Sequence, residues 1–252
     1  MLSRNFRLQK VGDFKWLKKH YNFEKIAFSI DELIILDVSR NNRDIVKFSN
    51  VVKEVISNVF IPVSVGGGIR DLNDADLLLK SGADKIVLNS SLNNNNSLVK
   101  ELVKKYGSQF IVGSVDYKTE DNNNVVFIKN GSEKVEMDFT KYLMYINSLN
   151  IGEVYLNSID RDGTGQGFDL LNLKNILNKI KCPLIIAGGA GNENHLIEAL
   201  KSPHVDAVAT ANLFNFIGDS LPKSRQKILL NDVKLANWHQ TYDKIFFVQK
   251  HN

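Results

Sequence analysis

The chain has 252 residues, 43% apolar and 24% charged, with 32 basic against 28 acidic side chains and a formal net charge of +4. The mild charge and the lack of a dense Lys/Arg block argue against a nucleic-acid partner, and no apolar stretch approaches the roughly 18 residues that span a bilayer. The opening Met1-Leu2-Ser3-Arg4-Asn5 has no secretory character and Cys182 is the one cysteine, so secreted, disulfide-bonded and cysteine-rich zinc classes fall away and a cytoplasmic α/β protein remains as the expectation.

In chain order, a helical pattern over 13–20 comes first. Short, β-branched, nearly continuous apolar runs then alternate with longer amphipathic ones. The apolar runs read as strands buried on both faces: 32–37, 61–65, 85–88, 110–112, 153–156, 183–186 and 207–209. Between them the 3.6-residue spacing predicts helices over 44–57, 71–81, 96–106, 139–149, 169–180 and 192–201, several opening on a capping Asp or Asn such as Asp71 and Asp169. Strict alternation predicts parallel strands joined by right-handed crossovers. One connection differs: Asn130-Gly131, set between the alternating runs 125–128 and 134–137, signals a β-hairpin. The tail, 221–252, is amphipathic and then aromatic, with no assigned activity.

The chain repeats itself. Ile61-Pro62-Val63-Ser64-Val65-Gly66-Gly67-Gly68 resembles Cys182-Pro183-Leu184-Ile185-Ile186-Ala187-Gly188-Gly189, a spacing of 121 residues. The same spacing brings 32–36 onto 153–157 and Leu79-Lys80-Ser81 onto Leu200-Lys201-Ser202; a one-residue slip then sets Asp84 opposite Asp206. Ordered matches at one spacing predict a (βα)8 TIM barrel made of two (βα)4 halves, about 1–106 and 107–220, in a single domain. The twin of the strand at 110–115 falls ahead of Met1. Barrel strand 1 is therefore expected upstream of a misplaced start, or else an incomplete barrel closes in some other way.

Chemistry gathers at the carboxyl ends of these strands. Gly67 and Gly68 follow one, and Gly188 and Gly189 follow its copy. Glycine turns let backbone N–H groups approach an anion, and the next helix adds its positive end. Asn89 and Ser90 end the next strand of one half, Ala211 and Asn212 that of the other. Two anion cups on one barrel mouth suit a metabolite phosphorylated at both ends. Asp37 and Asp116 terminate strands at the same mouth, where a carboxylate either works as acid or base or caps its own loop. The polar loop opened by Ser158, with Asp162 and Gly163, offers N–H groups to the second cup. The five histidines show no metal-ligand spacing, and neither metal nor cofactor is implied.

The strings VGGGIR (65–70), GADK (82–85), GSQ (107–109), SIDRDGT (158–164) and GGAG (188–191) occur in order, and with the repeat they cover most of the chain, from about residue 5 to 216. Together they resemble the cyclase subunit family of imidazole glycerol phosphate synthase. The resemblance implies a barrel that takes the doubly phosphorylated nucleotide PRFAR and ammonia from a glutaminase subunit docked on its N-terminal face. It releases imidazole glycerol phosphate and AICAR in histidine biosynthesis. It implies an acid–base aspartate at Asp116, followed by Lys118, with its partner aspartate mapping ahead of Met1. It implies one phosphate site at Gly67, Gly68, Asn89 and Ser90 and another at Asp162, Gly163, Gly189, Ala211 and Asn212. Glu32, Lys85 and Glu153 match three of the four charged residues that gate ammonia at the barrel floor. The chain departs at Leu2, where the family has a loop lysine, and at Asn212 and Ala187, where it has small serines. These departures resemble a paralogous branch whose barrel supplies ammonia for amidating a surface-polysaccharide sugar. A third reading is a non-catalytic barrel that activates the glutaminase.

Overall fold

The computed structural model describes residues 2–10, 13–20, 29–174, 176–211 and 220–236. A short antiparallel hairpin, β1 (Leu2–Arg4) and β2 (Arg7–Gln9), precedes helix α1 (Phe14–His20). The sheet then follows in strict alternation with helices. β3 (Leu33–Leu36) leads to α2 (Ile45–Ile56), β4 (Val63–Gly66) to α3 (Leu72–Lys80), and β5 (Lys85–Leu88) to α4 (Ser90–Asn94) and α5 (Asn96–Tyr106). β6 (Ile111–Glu120) carries the hairpin strands β7 (Asn123–Ile128) and β8 (Glu133–Lys134) before α6 (Phe139–Ser148). β9 (Glu153–Ser158), α7 (Leu170–Leu173), β10 (Leu184–Ala187), α8 (Glu193–Leu200), β11 (Ala207–Ala209) and α9 (Ser220–Leu229) complete the order.

The seven strands from β3 to β11, hairpin excepted, pair in parallel in the order β11-β10-β9-β6-β5-β4-β3. This is the α/β, TIM-barrel-like sheet that alternation demanded. β3 and β11 end the row among the described residues. Beyond them Arg225 of α9 reaches Asp31, ahead of β3, with two N–H···O contacts of 3.0 and 3.2 Å. Among the described residues no helix is long and apolar enough to cross a membrane.

Alternation along each strand sorts the side chains into two layers. Val65, Leu88, Val115, Val154 and Ile186 face outward and join one core with Leu78 of α3, Leu102 of α5 and Leu143 and Ile146 of α6. Gly113 lies on this outer face; a Cβ there would meet Ile151 Cδ1 at 2.4 Å. The other face lines the barrel interior and carries the polar groups described below. Helix starts are fixed by side-chain caps: Asp44, Asp71, Asn95, Asp138 and Asn192 each accept from N–H groups of the first turn.

The duplication is visible in geometry. Leu33 N donates to Pro62 O at 3.0 Å, and Val154 N to Pro183 O at 2.9 Å. Asp84 Oδ2 accepts from Val63 N at 2.8 Å, and Asp206 Oδ2 from Leu184 N at 2.8 Å, so the one-residue slip preserves the contact. Gly67 presses on the backbone of Asp37 as Gly188 presses on that of Ser158, 121 residues on.

Three elements differ from the sequence expectation. The strand expected at 110–112 runs ten residues as β6, because β7 pairs back onto it from Asp116 to Glu120 and carries it beyond the mouth. The hairpin's return strand lies at Glu133–Lys134 rather than over 134–137. The helix expected over 169–180 appears as α7 and a 3-10 turn at Leu177–Lys179. Asn172 and Asn178 weaken the helix here, since asparagine side chains compete with the helical backbone for hydrogen bonds.

Candidate active site

Parallel strands put all their carboxyl ends on one rim. β6 is the middle strand of the set β10-β9-β6-β5-β4, so Asp116 lies two strands from each glycine turn. Its carboxyl is buried, with 8% of its surface exposed. Asn89 Nδ2 donates to Oδ2 at 3.1 Å and Asn157 Nδ2 to Oδ1 at 3.3 Å. Asn89 also donates to Ser114 O at 3.0 Å, which fixes its amide. Burial pushes the Asp116 carboxyl up to about 7; the amide of Asn157 pulls it back, the charge of Asp162 pushes it further up, and the amide of Asn89 opposes. A group with that affinity both takes and gives a proton near neutral pH.

The first cup lies at Gly67 and Gly68, at φ 100° and 78°. A Cβ on Gly67 would stand 2.3 Å from Asp37 O. Asn89 stands just ahead of the short helix α4 without a side-chain capping bond, and Ser90 opens the helix. The Ser90 hydroxyl accepts from Lys129 N at 3.2 Å, joining the β7–β8 turn to the cup. Asp37 turns to its own loop and accepts from Ser39 N at 2.9 Å.

The second cup lies at Gly188 and Gly189, at φ 89° and 108°, beside the loop of Asp162 and Gly163. Gly167 N donates to Gly189 O at 2.7 Å. The hairpin β1–β2 covers this loop. The Ser3 hydroxyl and Phe6 N both donate to Asp162 Oδ2, and Asn5 N donates to Asp162 O at 2.9 Å. Ser158 faces outward, beside the Tyr117 hydroxyl, which donates to Asp169 Oδ2 at 3.1 Å. Asp169 Oδ1 is buried without a hydrogen bond, 3.9 Å from Arg161 Nη2. Lys118 lies on the hairpin side, 3.7 Å from Glu120. Ala211 is exposed just beyond β11, and Asn212 lies outside the described residues.

The opposite end holds the charged floor. Lys85 Nζ lies 2.9 Å from both carboxylate oxygens of Glu32 and 2.5 Å from Glu153 Oε1. Burial pulls the Lys85 ammonium down, but the two glutamates outweigh it and hold it above its ordinary value. Glu153 Oε2 is buried without a hydrogen bond. Glu153, Tyr155 and Asn157 share one face of β9, so the floor and the Asp116 carboxyl are about 13 Å apart along the barrel interior, at roughly 3.3 Å per residue.

Sequence reasoning missed Asn157. Its signal was available, since Glu153 at the floor and Asn157 four residues on must point the same way. The hairpin at 2–9 also escaped notice, because runs of three residues carry too little periodicity to read. Among the described residues no three His, Cys, Asp or Glu side chains gather as metal ligands.

The chain matches the model of a family described as histidine biosynthesis protein over residues 12–218. It is 43% identical over 99% of its length, and 93% of the relative's, to a protein of Parasynechococcus marenigrum that carries a provisional name, imidazole glycerol phosphate synthase subunit hisF2. It is 33% identical to the imidazole glycerol phosphate synthase subunit HisF of Alkaliphilus metalliredigens, covering 90% of this chain and 89% of that one. With the HisF subunit of Pyrobaculum aerophilum the identity is 38%, over 84% and 82%. With a family model spanning most of its length and relatives this similar, the chain belongs to the histidine biosynthesis protein family, alongside the HisF subunits of imidazole glycerol phosphate synthase.

Proposed function

We propose that this chain is the cyclase subunit of an imidazole glycerol phosphate synthase, a carbon–nitrogen lyase that uses ammonia to convert PRFAR to imidazole glycerol phosphate and AICAR. The observation that carries the reading is the Asp116 carboxyl, held by two amides and raised to about 7, midway between two like glycine turns on one rim. In this reading the turn at Gly67 and Gly68, with Asn89 and Ser90, takes one phosphate. Gly163, Gly188, Gly189, Ala211 and Asn212 take the other, with Asp162 holding the covering hairpin against them. The reacting bonds of a substrate so stretched lie over Asp116. Its carboxylate accepts a proton as ammonia adds, and the resulting acid returns one to the leaving group. A glutaminase subunit docks on the N-terminal face, and its ammonia enters past Glu32, Lys85 and Glu153. Charged groups in a barrel floor are costly, and their retention here supports a working passage over a filled core.

A second reading keeps the passage and changes the acceptor to a sugar of surface-polysaccharide synthesis. It rests on the departures from the family pattern at Leu2, Ala187 and Asn212. Purified protein given PRFAR and an ammonium salt separates the two. Release of AICAR is expected for the cyclase; no release, together with stimulation of a co-expressed glutaminase, would move the assignment to the paralogue.

A further inference from the structure

The loop after β3, residues 37–44, is the twin of the loop after β9, residues 158–165, at the 121-residue spacing. Both turn through positive φ at the matched position, Asn42 at 52° and Gly163 at 70°. The first cup therefore has a flanking loop that shares this left-handed turn with the second, the two parting at their last position, where Asp44 lies at φ −122° and Gly165 at 71°. At one of its positions, opposite Thr164, stands Arg43. Its side chain lies along Gly68: a Cβ on Gly68 would sit 2.7 Å from Arg43 Cδ and 3.0 Å from Nη1. The bare glycine thus gives the guanidinium room as well as permitting φ 78°.

Two anchors fix this side chain. Nε donates to Ser39 O at 2.7 Å, and Nη2 donates to Asn130 Oδ1 at 3.3 Å in the β7–β8 turn. Nη1 has no hydrogen-bond partner among the described residues. Arg43 lines a cleft of about 40 Å3 with Gly67, Gly68, Arg70, Asp37 and Asp74. Both carboxylates there accept backbone N–H groups, Asp37 from Ser39 and Asp74 from Arg70. The backbone and neutral side chains of the cup offer dipoles only; an arginine adds a full charge and a rigid donor fork.

We propose that Arg43 is a direct ligand of the first cup, its Nη1 donating to the phosphate-monoester end of the substrate. The proposal rests on the two-phosphate reading of the mouth, and the test separates the two. Glycerol 3-phosphate titrated calorimetrically into the full chain is expected to fill two sites. Arg43→Gln should weaken one site about tenfold and leave the other unchanged, while Arg43→Lys, which keeps the charge and loses the fork, should weaken it by about threefold. The loss should be larger at pH 8 than at pH 5, because a phosphate monoester gains its second charge near pH 6; a merely structural role would give a loss independent of pH. Two sites unchanged by Arg43→Gln, or both weakened alike, would overturn the role of Arg43. A wild-type chain that takes up no phosphate monoester would overturn the two-phosphate reading, and the proposal with it.

Discussion

Replacing Asp116 by Asn should make the protein more stable as pH rises. The folded carboxyl titrates at about 7 against 3.8 for its ordinary value, and burial is the main cause. Between those values the folded chain keeps a proton that the unfolded chain has released, so stability falls as pH climbs through that window and the loss is complete above it. The gap between those values corresponds to about 4 kcal/mol at pH 8, and at pH 5 only about 2 kcal/mol has been lost. Asn has the same shape and no charge to desolvate. Its one amide oxygen cannot serve both Asn89 and Asn157, which costs about 1 kcal/mol. The variant should therefore exceed wild type by about 3 kcal/mol at pH 8 and by about 1 kcal/mol at pH 5. Urea unfolding at both pH values, analysed with a common slope, measures the gap. A gap that does not widen with pH, or a variant weaker than wild type at pH 8, would refute the burial argument. In the proposed reaction the same variant should lose turnover.

The remaining predictions concern backbone, floor and loop. Gly189→Ala forces φ 108° on an L-residue and sets a Cβ 2.1 Å from Gly167 O; strain alone is about 1–3 kcal/mol, and thermal melting should fall by at least about 4 °C. Lys85→Met leaves Glu32 and Glu153 facing each other. With solvent screening at Glu32 the expected loss is about 1–3 kcal/mol by denaturant unfolding, and in the proposed reaction glutamine-dependent turnover should fall while ammonium-dependent turnover persists. Tyr117→Phe strips the hydroxyl from buried Asp169. Unfolding free energy should drop by about 1–3 kcal/mol, and an unchanged value would show that Asp169 finds another donor.

The strands and their parallel order were legible because β-branched runs separated by 3.6-period segments admit few other folds. The halves were legible because the duplication left Pro62 and Pro183, Gly67 and Gly188, at one spacing; the paired contacts of Asp84 and Asp206 show that the slip between the copies was real. Asp116 stood out as a strand-end carboxylate, but its two amide partners, Asn89 just after β5 and Asn157 in β9, meet only through the sheet. Arg43 was illegible for a similar reason: its meaning depends on Gly68 and Asn130, which lie 25 and 87 residues away in sequence. The break in the helix over 169–180 was open to reading from its asparagines, and apolar periodicity concealed it.

The most direct test of the account is a crystal structure of the Asp116→Asn variant with PRFAR. One phosphate is expected against Gly68, Asn89 and Ser90, the other against Gly163 and Gly189, with the scissile region over residue 116. Both phosphates on one side of the mouth, or a substrate bound away from this rim, would contradict it.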